Sequence, residues 1–267
     1  MSQDNEVILL KLGGSLITDK NMPFSLKQNN IDSSIEQIIR SGKRIILIHG
    51  GGSFGHPIAE TYKLAQGNNE NLKNQIMGIA ETHAAMQDLN SKIINVFMEK
   101  RYPAIAIQPS SIFIQKGENI RLLTVKALES ALSLGITPVL YGDIILDENN
   151  DFSILSGDQI ILELCKSLKA FYVSKVIFAM EAEGIYIDDS GSDKLIDEVS
   201  CHELDTLNLA ALDGKIDVTG GIRGKIEVCK KIGAMIIPIQ LINGSIEDNI
   251  YKALRGENLM GTSITTS

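Results

Sequence analysis

Four short segments carry residue types and spacings suited to holding phosphate. Lys11-Leu12-Gly13-Gly14-Ser15 follows one apolar run, and His49-Gly50-Gly51-Gly52-Ser53-Phe54-Gly55-His56 follows a second. Glycines placed directly after strands let backbone N–H groups approach an anion closely, and a helix start beyond them adds a favourable dipole. One such loop also serves as a plain strand-to-helix turn. Two in succession, each flanked by Lys or His, point to phosphate binding. The third segment, Ser156-Gly157-Asp158, stands where a helix should begin, and by itself it reads as a cap. The fourth, Asp217-Val218-Thr219-Gly220-Gly221-Ile222-Arg223-Gly224-Lys225, opens another helix. A lysine four residues beyond a Gly-Gly turn can swing its ammonium over the helix start; alone it reads as a solvated surface lysine.

Two familiar phosphate motifs do not fit. Gly50, Gly52 and Gly55 satisfy G-x-G-x-x-G, but that dinucleotide fingerprint wants an acidic residue ending the next strand of a compact βαβ unit. Here the next strand starts near Pro103, after a long helical insertion, and Glu70 sits in the polar run Gln66 to Asn71. A P-loop is absent too, since Gly224-Lys225 lacks the upstream glycine and is followed by Ile226 rather than Ser or Thr.

The elements that must position these residues alternate. Apolar runs at Val7–Lys11, Arg44–His49, Pro103–Gln108, Thr137–Tyr141, Val173–Ala179 and Met235–Ile242 are continuous rather than alternating, as strands covered on both faces of a parallel sheet should be. Helical patterns lie between them, over 31–41, 70–100, 124–134, 157–168, 221–233 and 245–255. Asp147–Asp151 reads as the turn of a hairpin near 143–155. The expectation is an α/β fold, a three-layer αβα sandwich around a mainly parallel sheet. A soft boundary near 170 divides a lobe over 1–170 from a lobe over 171–267, sharing one continuous sheet.

Composition narrows the function classes. The 267 residues are 44% hydrophobic and 22% charged, an ordinary globular balance, and the net charge of −8 argues against sequence-independent nucleic-acid binding. Cys165, Cys201 and Cys229 form no C-x-x-C pair, so neither a disulfide framework nor a zinc knuckle is written here. The polar N-terminus carries no signal-peptide pattern, and no apolar run reaches membrane-spanning length, so a cytoplasmic protein is expected.

Taken together, K-L-G-G-S, H-G-G-G-S-F-G-H, S-G-D, D-V-T-G-G-x-x-x-K and the closing Gly261-Thr262 resemble the amino acid kinase superfamily. Within it they look most like the archaeal-type isopentenyl phosphate kinases, chiefly through His56; the fosfomycin kinases are similar at the same histidine. The resemblance runs in order from Val7 to Ile264, and also takes in Thr18-Asp19-Lys20, Ile107-Gln108-Pro109-Ser110-Ser111 and Tyr141-Gly142-Asp143. It implies that Lys11 and Lys225 hold the transferring phosphoryl group and that Lys20 stabilises the transition state. It places Leu12, Gly13, Gly14, Ser15, Gly52, Glu181 and Gly221 with Lys11 and Lys225 around ATP. It places Gly51, His56 and Gly157 at the acceptor phosphate, and makes Asp158 the residue that orients the two lysines. ATP with Mg²⁺ as donor, isopentenyl phosphate as acceptor, isopentenyl diphosphate as product of a modified mevalonate route, and a homodimer are all implied by the resemblance, with no protein metal ligand. Its rivals are a kinase for another small phosphonate or phosphate such as fosfomycin, and a nucleotide-binding protein without turnover. Where the family usually reads T-D-V-D-G, this chain has Met180-Glu181-Ala182-Glu183-Gly184, a change that bears on the nucleotide and leaves the lysines untouched.

The residue types suit that chemistry. ATP and a monophosphate are both anions, the latter with a second pKa near ~6, so the barrier is dominated by repulsion and positioning. Lysines and backbone N–H groups answer that need, and an acceptor oxygen already ionised requires no general base. The acceptor's other end should be apolar, and Leu72, Ile76, Ile79, Ala80, His83, Met86 and Ile93, with Phe54 and Tyr62, are candidates for its wall. For each of them, core packing is the simpler role; His83 taken alone reads as structural or exposed.

Overall fold

In a computed structural model, residues 5–68, 72–117, 119–189, 192–207 and 221–266 are described. The chain begins β1 (Glu6–Leu12), α1 (Gly14–Ile17), α2 (Gln28–Ser41), β2 (Ile45–His49), α3 (Gly52–Thr61) and α4 (Leu72–Glu99). Next come β3 (Ala104–Ala106), β4 (Phe113–Lys116), β5 (Asn119–Leu122), α5 (Lys126–Ser133), β6 (Thr137–Tyr141), β7 (Asp143–Asp147), β8 (Asp151–Leu155) and α6 (Gly157–Ser167). The remainder is β9 (Tyr172–Met180), β10 (Tyr186–Asp189), β11 (Ser192–Leu195), β12 (Glu198–Ser200), α7 (Gly221–Gly233), β13 (Ile239–Asn243), α8 (Asn249–Arg255) and β14 (Gly261–Thr265).

The central sheet has eight strands in the order β12-β14-β13-β9-β1-β2-β6-β3, all neighbours parallel except β13 and β14. Alternate residues of each strand feed opposite faces, as the period of an extended chain requires. Val7, Leu9, Ile46 and Ile48 join a core under α5, α6 and α7; Ile8, Leu10, Ile45 and Leu47 join a second core under α2, α4 and α8. The αβα sandwich and its mainly parallel sheet are therefore as expected. The sheet runs unbroken past residue 170, with β9 paired to β1 from Ile8–Lys175 to Leu12–Ala179. Among the described residues no helix is long and apolar enough to cross a membrane.

Several elements depart from the sequence reading. Helix α3 is not among the helical patterns read from the sequence, and it takes in Pro57. A proline there has no N–H for the carbonyl of Ser53, and the Phe24 amide fills that role instead, donating to Ser53 O at 3.1 Å. β13 starts at Ile239 rather than Met235, since the turn after α7 puts Ile236 in the left-handed region (φ 62°). The β4–β5 and β10–β11 hairpins and the strands β12 and β14 are short and lack a strong apolar run. The β7–β8 hairpin matches the expected 143–155.

Candidate active site

The glycine segments, Ser156-Gly157-Asp158 and Lys225 converge at the carboxyl ends of β1, β2 and β9. In an open parallel sheet this edge is where ligands bind. β1 ends at Leu12, whose side chain is in the core and whose carbonyl accepts from Gly50 N at 3.0 Å. Gly13 N donates to Ala179 O at 2.8 Å, tying the first loop to β9.

The two glycine loops interlock backbone against backbone. A Cβ on Gly14 would lie 2.5 Å from Gly52 N, and one on Gly50 would lie 2.7 Å from Gly14 N. Gly52 has φ +47°, and a Cβ there would meet Thr18 Oγ1 at 2.0 Å. Thr18 completes the junction. Its hydroxyl donates to Gly14 O at 2.8 Å and accepts from Ser53 N at 2.9 Å. The amides of Gly14, Ser15, Gly51 and Gly52 donate to no described residue, so they are available to an anion.

Asp158 lies in the first turn of α6, whose start is fixed by a Ser156–Gln159 capping box. Its carboxylate is nearly enclosed and is gripped from two sides. Lys11, reaching from β1, donates to Oδ1; Lys225, reaching from α7, donates to Oδ2 at 2.9 Å and to Oδ1 at 3.2 Å. Burial pushes the Asp158 carboxyl up, but the two ammonium groups outweigh it and hold it well below the usual carboxylate range. Lys225 Nζ also stands 4.5 Å from the ring centroid of Phe178 on β9. Gly157 leaves room for the lysine stem, since a Cβ there would lie 3.1 Å from Lys11 Cε.

On the other side of the glycine loops, α3 carries His56, half-buried. Helix α4 packs against α3 closely enough that Met86 Sδ would be 3.1 Å from a Cβ on Gly51 and 2.9 Å from one on Gly55. Under the second loop, His49 is fully buried, stacked on Tyr141 at 5.6 Å, with Nε2 3.2 Å from Asn90 Oδ1. Burial pushes its pKa down to about 4, so the ring is neutral at pH 7.

Most expected site residues are thus brought together, and several fall elsewhere. Lys20 is exposed on the turn between Thr18 and Leu26, which is tethered to α3 through Phe24. Glu181 pairs with Lys27 across the cleft between the β9 end and α2. Glu183 turns inward, accepting from Tyr186 Oη at 2.6 Å and Asn243 Nδ2 at 3.3 Å. The acids that replace the usual aspartates therefore brace the loop after β9. Asp217–Gly220 lies outside the described residues, as does the side chain of Gly221's neighbour Ile222. Of the proposed apolar wall, Ile76 is exposed, Phe54 is fully buried, and Ile93 belongs to the main core. Tyr62 and Ile79 instead pack on a small separate cluster with Ile144 and Phe152.

Four contributors went unread in the sequence: the Thr18 hydroxyl as loop clasp, Phe178 beneath Lys225, the His83–Asp143 pair, and Thr262. Thr262 is fully buried, accepts from Ile185 N at 2.8 Å and donates to Ile196 O at 2.6 Å. The family pattern, which includes T-D, G-D and G-T pairs, signalled Thr18, Asp143 and Thr262, and helical spacing named His83 as a wall candidate, but neither signalled the roles found here.

Comparison with known proteins agrees with this geometry. The model of the amino acid kinase family matches residues 6–243. The chain belongs to the amino acid kinase family. It is accordingly a kinase, and its phosphoryl donor is ATP. It is 35% identical to the isopentenyl phosphate kinase of Methanocaldococcus jannaschii over 97% of this chain and 98% of that one. It is 33% identical to that of Methanothermobacter thermautotrophicus, over 97% and 99%. A solved isopentenyl phosphate kinase superposes with a TM-score of 0.83 at 29% identity, covering 97% of this chain and all of the other.

Proposed function

We propose that this member of the amino acid kinase family transfers the γ-phosphoryl group of ATP to the phosphate of isopentenyl phosphate, giving isopentenyl diphosphate for isoprenoid precursor synthesis. The observation that carries the reading is the pair of lysines held on one buried carboxylate beside two interlocked glycine loops, in a chain matched end to end by isopentenyl phosphate kinases. Fosfomycin and other phosphonate acceptors are the alternative that a substrate panel separates.

In this reading the lobe over 1–170 takes the acceptor and the lobe over 171–267 takes the nucleotide. Lys11 and Lys225 face the transferring group from opposite sides. Asp158 holds their like charges together before substrate arrives, so little reorganisation remains for the reaction itself. The free amides of Gly14, Ser15, Gly51 and Gly52 receive phosphate oxygens of donor and acceptor. His56 donates to the acceptor phosphate, aided by the Gly157 amide at the start of α6. Lys20 reaches from its turn toward the departing charge. The acceptor oxygen is ionised near neutral pH, which is why the site offers lysines rather than a carboxylate base.

Mg²⁺ enters with ATP. Among the described residues no three His, Cys, Asp or Glu side chains gather as a metal site, and both oxygens of Asp158 are committed to lysines. The chain's residues fit a metal carried by the nucleotide phosphates rather than one held by protein side chains. The metal supplies charge neutralisation on those phosphates when bound. A cytoplasmic homodimer completes the proposal and rests on the family likeness alone.

The test is ADP release by the purified protein with Mg-ATP and isopentenyl phosphate, dimethylallyl phosphate, fosfomycin, UMP, N-acetylglutamate or buffer. Turnover confined to the isoprenoid phosphates is expected. His56→Ala should abolish most acceptor use while ATP binding persists; unchanged turnover in that variant would remove His56 from the acceptor site. Turnover with fosfomycin alone would overturn the acceptor assignment.

A further inference from the structure

One polar cluster beside the site has no part in the scheme above. Asp143 opens β7 directly after Gly142, and its carboxylate is fully enclosed. Oδ2 accepts from Ser110 N at 3.1 Å, and Oδ1 from its neighbour Ile144 N at 2.9 Å. The third donor is His83 Nδ1 on α4, 2.7 Å from Oδ1. A buried carboxylate is retained only where its partners offset desolvation, and this one orients the imidazole ring. His83 is a quarter exposed, and Nε2 has no hydrogen-bond partner among the described residues. The adjacent Thr82 is buried, and its Oγ1 is likewise without a partner among the described residues. A buried hydroxyl left open beside an oriented imidazole is unusual in a packed protein.

Their position links them to the acceptor end. Gly142 N donates to His49 O at 3.0 Å, and a Cβ on Gly142 would lie 3.7 Å from Gly157 N. The Gly142–Asp143 step therefore runs between the second glycine loop and the start of α6. On α4, Gly78 packs on Tyr62 and Met86 on Gly51 and Gly55, so Thr82, midway between them at the same helical spacing, faces α3. His83 is one residue further round, toward β7. We infer that His83 is a second acceptor-recognition residue, presenting Nε2 to the acceptor's phosphate across the cleft from His56, with Asp143 as the residue that positions it. This deepens the proposed function and rests on it.

The decisive variant is His83→Asn. Its amide nitrogen can take the place of Nδ1 on Asp143, and it lacks only the group that would reach the acceptor. Steady-state kinetics should show KM for isopentenyl phosphate raised about tenfold, with KM for ATP within about twofold of wild type. Asp143→Asn, which keeps the side chain's size, should raise the same constant by less. An acceptor KM within about twofold of wild type in a folded His83→Asn protein overturns the inference and leaves the proposed function standing. Should that variant not fold, ¹⁵N spectra of the wild-type histidines decide. A His83 Nε2 resonance that moves on adding isopentenyl phosphate supports the role, and one that stays fixed at saturation overturns it. Wild-type protein that turns over no isopentenyl phosphate overturns the proposed function itself, and this inference falls with it.

Discussion

Replacing Asp158 by Asn keeps the shape of the side chain and removes the charge that holds Lys11 and Lys225. The Lys225–Asp158 contact at 2.9 Å corresponds to roughly 6 kcal/mol of gross attraction at an effective dielectric of about 20. The Lys11 contact adds a similar amount. Desolvation of three nearly enclosed groups offsets most of that total, so the pair contributes little net stability over an apolar replacement. Removing only the carboxylate is different, because it leaves two ammonium groups facing each other with no counter-charge. We expect a loss of about 3–5 kcal/mol at pH 7. For a chain of this size that lowers Tm by roughly 5–9 °C. The lysines should separate, and a displacement of the order of 1 Å costs about a hundredfold in rate. Urea unfolding monitored by circular dichroism, together with the ADP-release assay, measures both effects. The pH dependence gives an independent check. The folded carboxyl is depressed, so its contribution is complete above the unfolded value of 3.8 and declines as pH falls below it. Asp158→Asn should lack that decline. A variant with wild-type Tm and a kcat within about threefold of wild type would refute the argument that this carboxylate preorganises the site.

Further outcomes follow from the same structure. Gly14→Ala places a Cβ 2.5 Å from Gly52 N and 2.7 Å from Gly52 Cα, both rigid backbone, so the loops must part. KM for ATP should rise and kcat fall while circular dichroism stays native; wild-type kinetics would contradict the interlocked loops. His49 is held neutral, its pKa down from 6.5 to about 4 by burial, so stability is complete above pH 6.5 and falls by about 3 kcal/mol on acidification to pH 4. Urea titrations of His49→Gln should show a flatter pH profile over that window, and an unchanged slope would contradict it.

The sequence alone determined the architecture and much of the inventory of the candidate site. Continuous apolar runs as short as Ile45–Ile48 and rich in β-branched residues suit a strand covered on both faces, and a chain with several of them alternating with helices builds an αβα sandwich. Glycine, lysine and serine at fixed offsets from strand ends were legible because such turns depend on neighbours in the chain. Helix α3 was not, since Pro57 argues against it locally and the compensating donor, Phe24 N, lies far back in the chain. Tertiary structure alone decided which charges meet. Lys11, Asp158 and Lys225 are separated by 147 and 67 positions, and only the parallel register of β1 beside β9, with α6 and α7 on one face, brings them onto one carboxylate. The same holds for Asp143 and His83, 60 positions apart. Period and propensity are properties of neighbouring residues, whereas electrostatic partnership in a folded chain is set by the closure of long loops, and no local pattern records it.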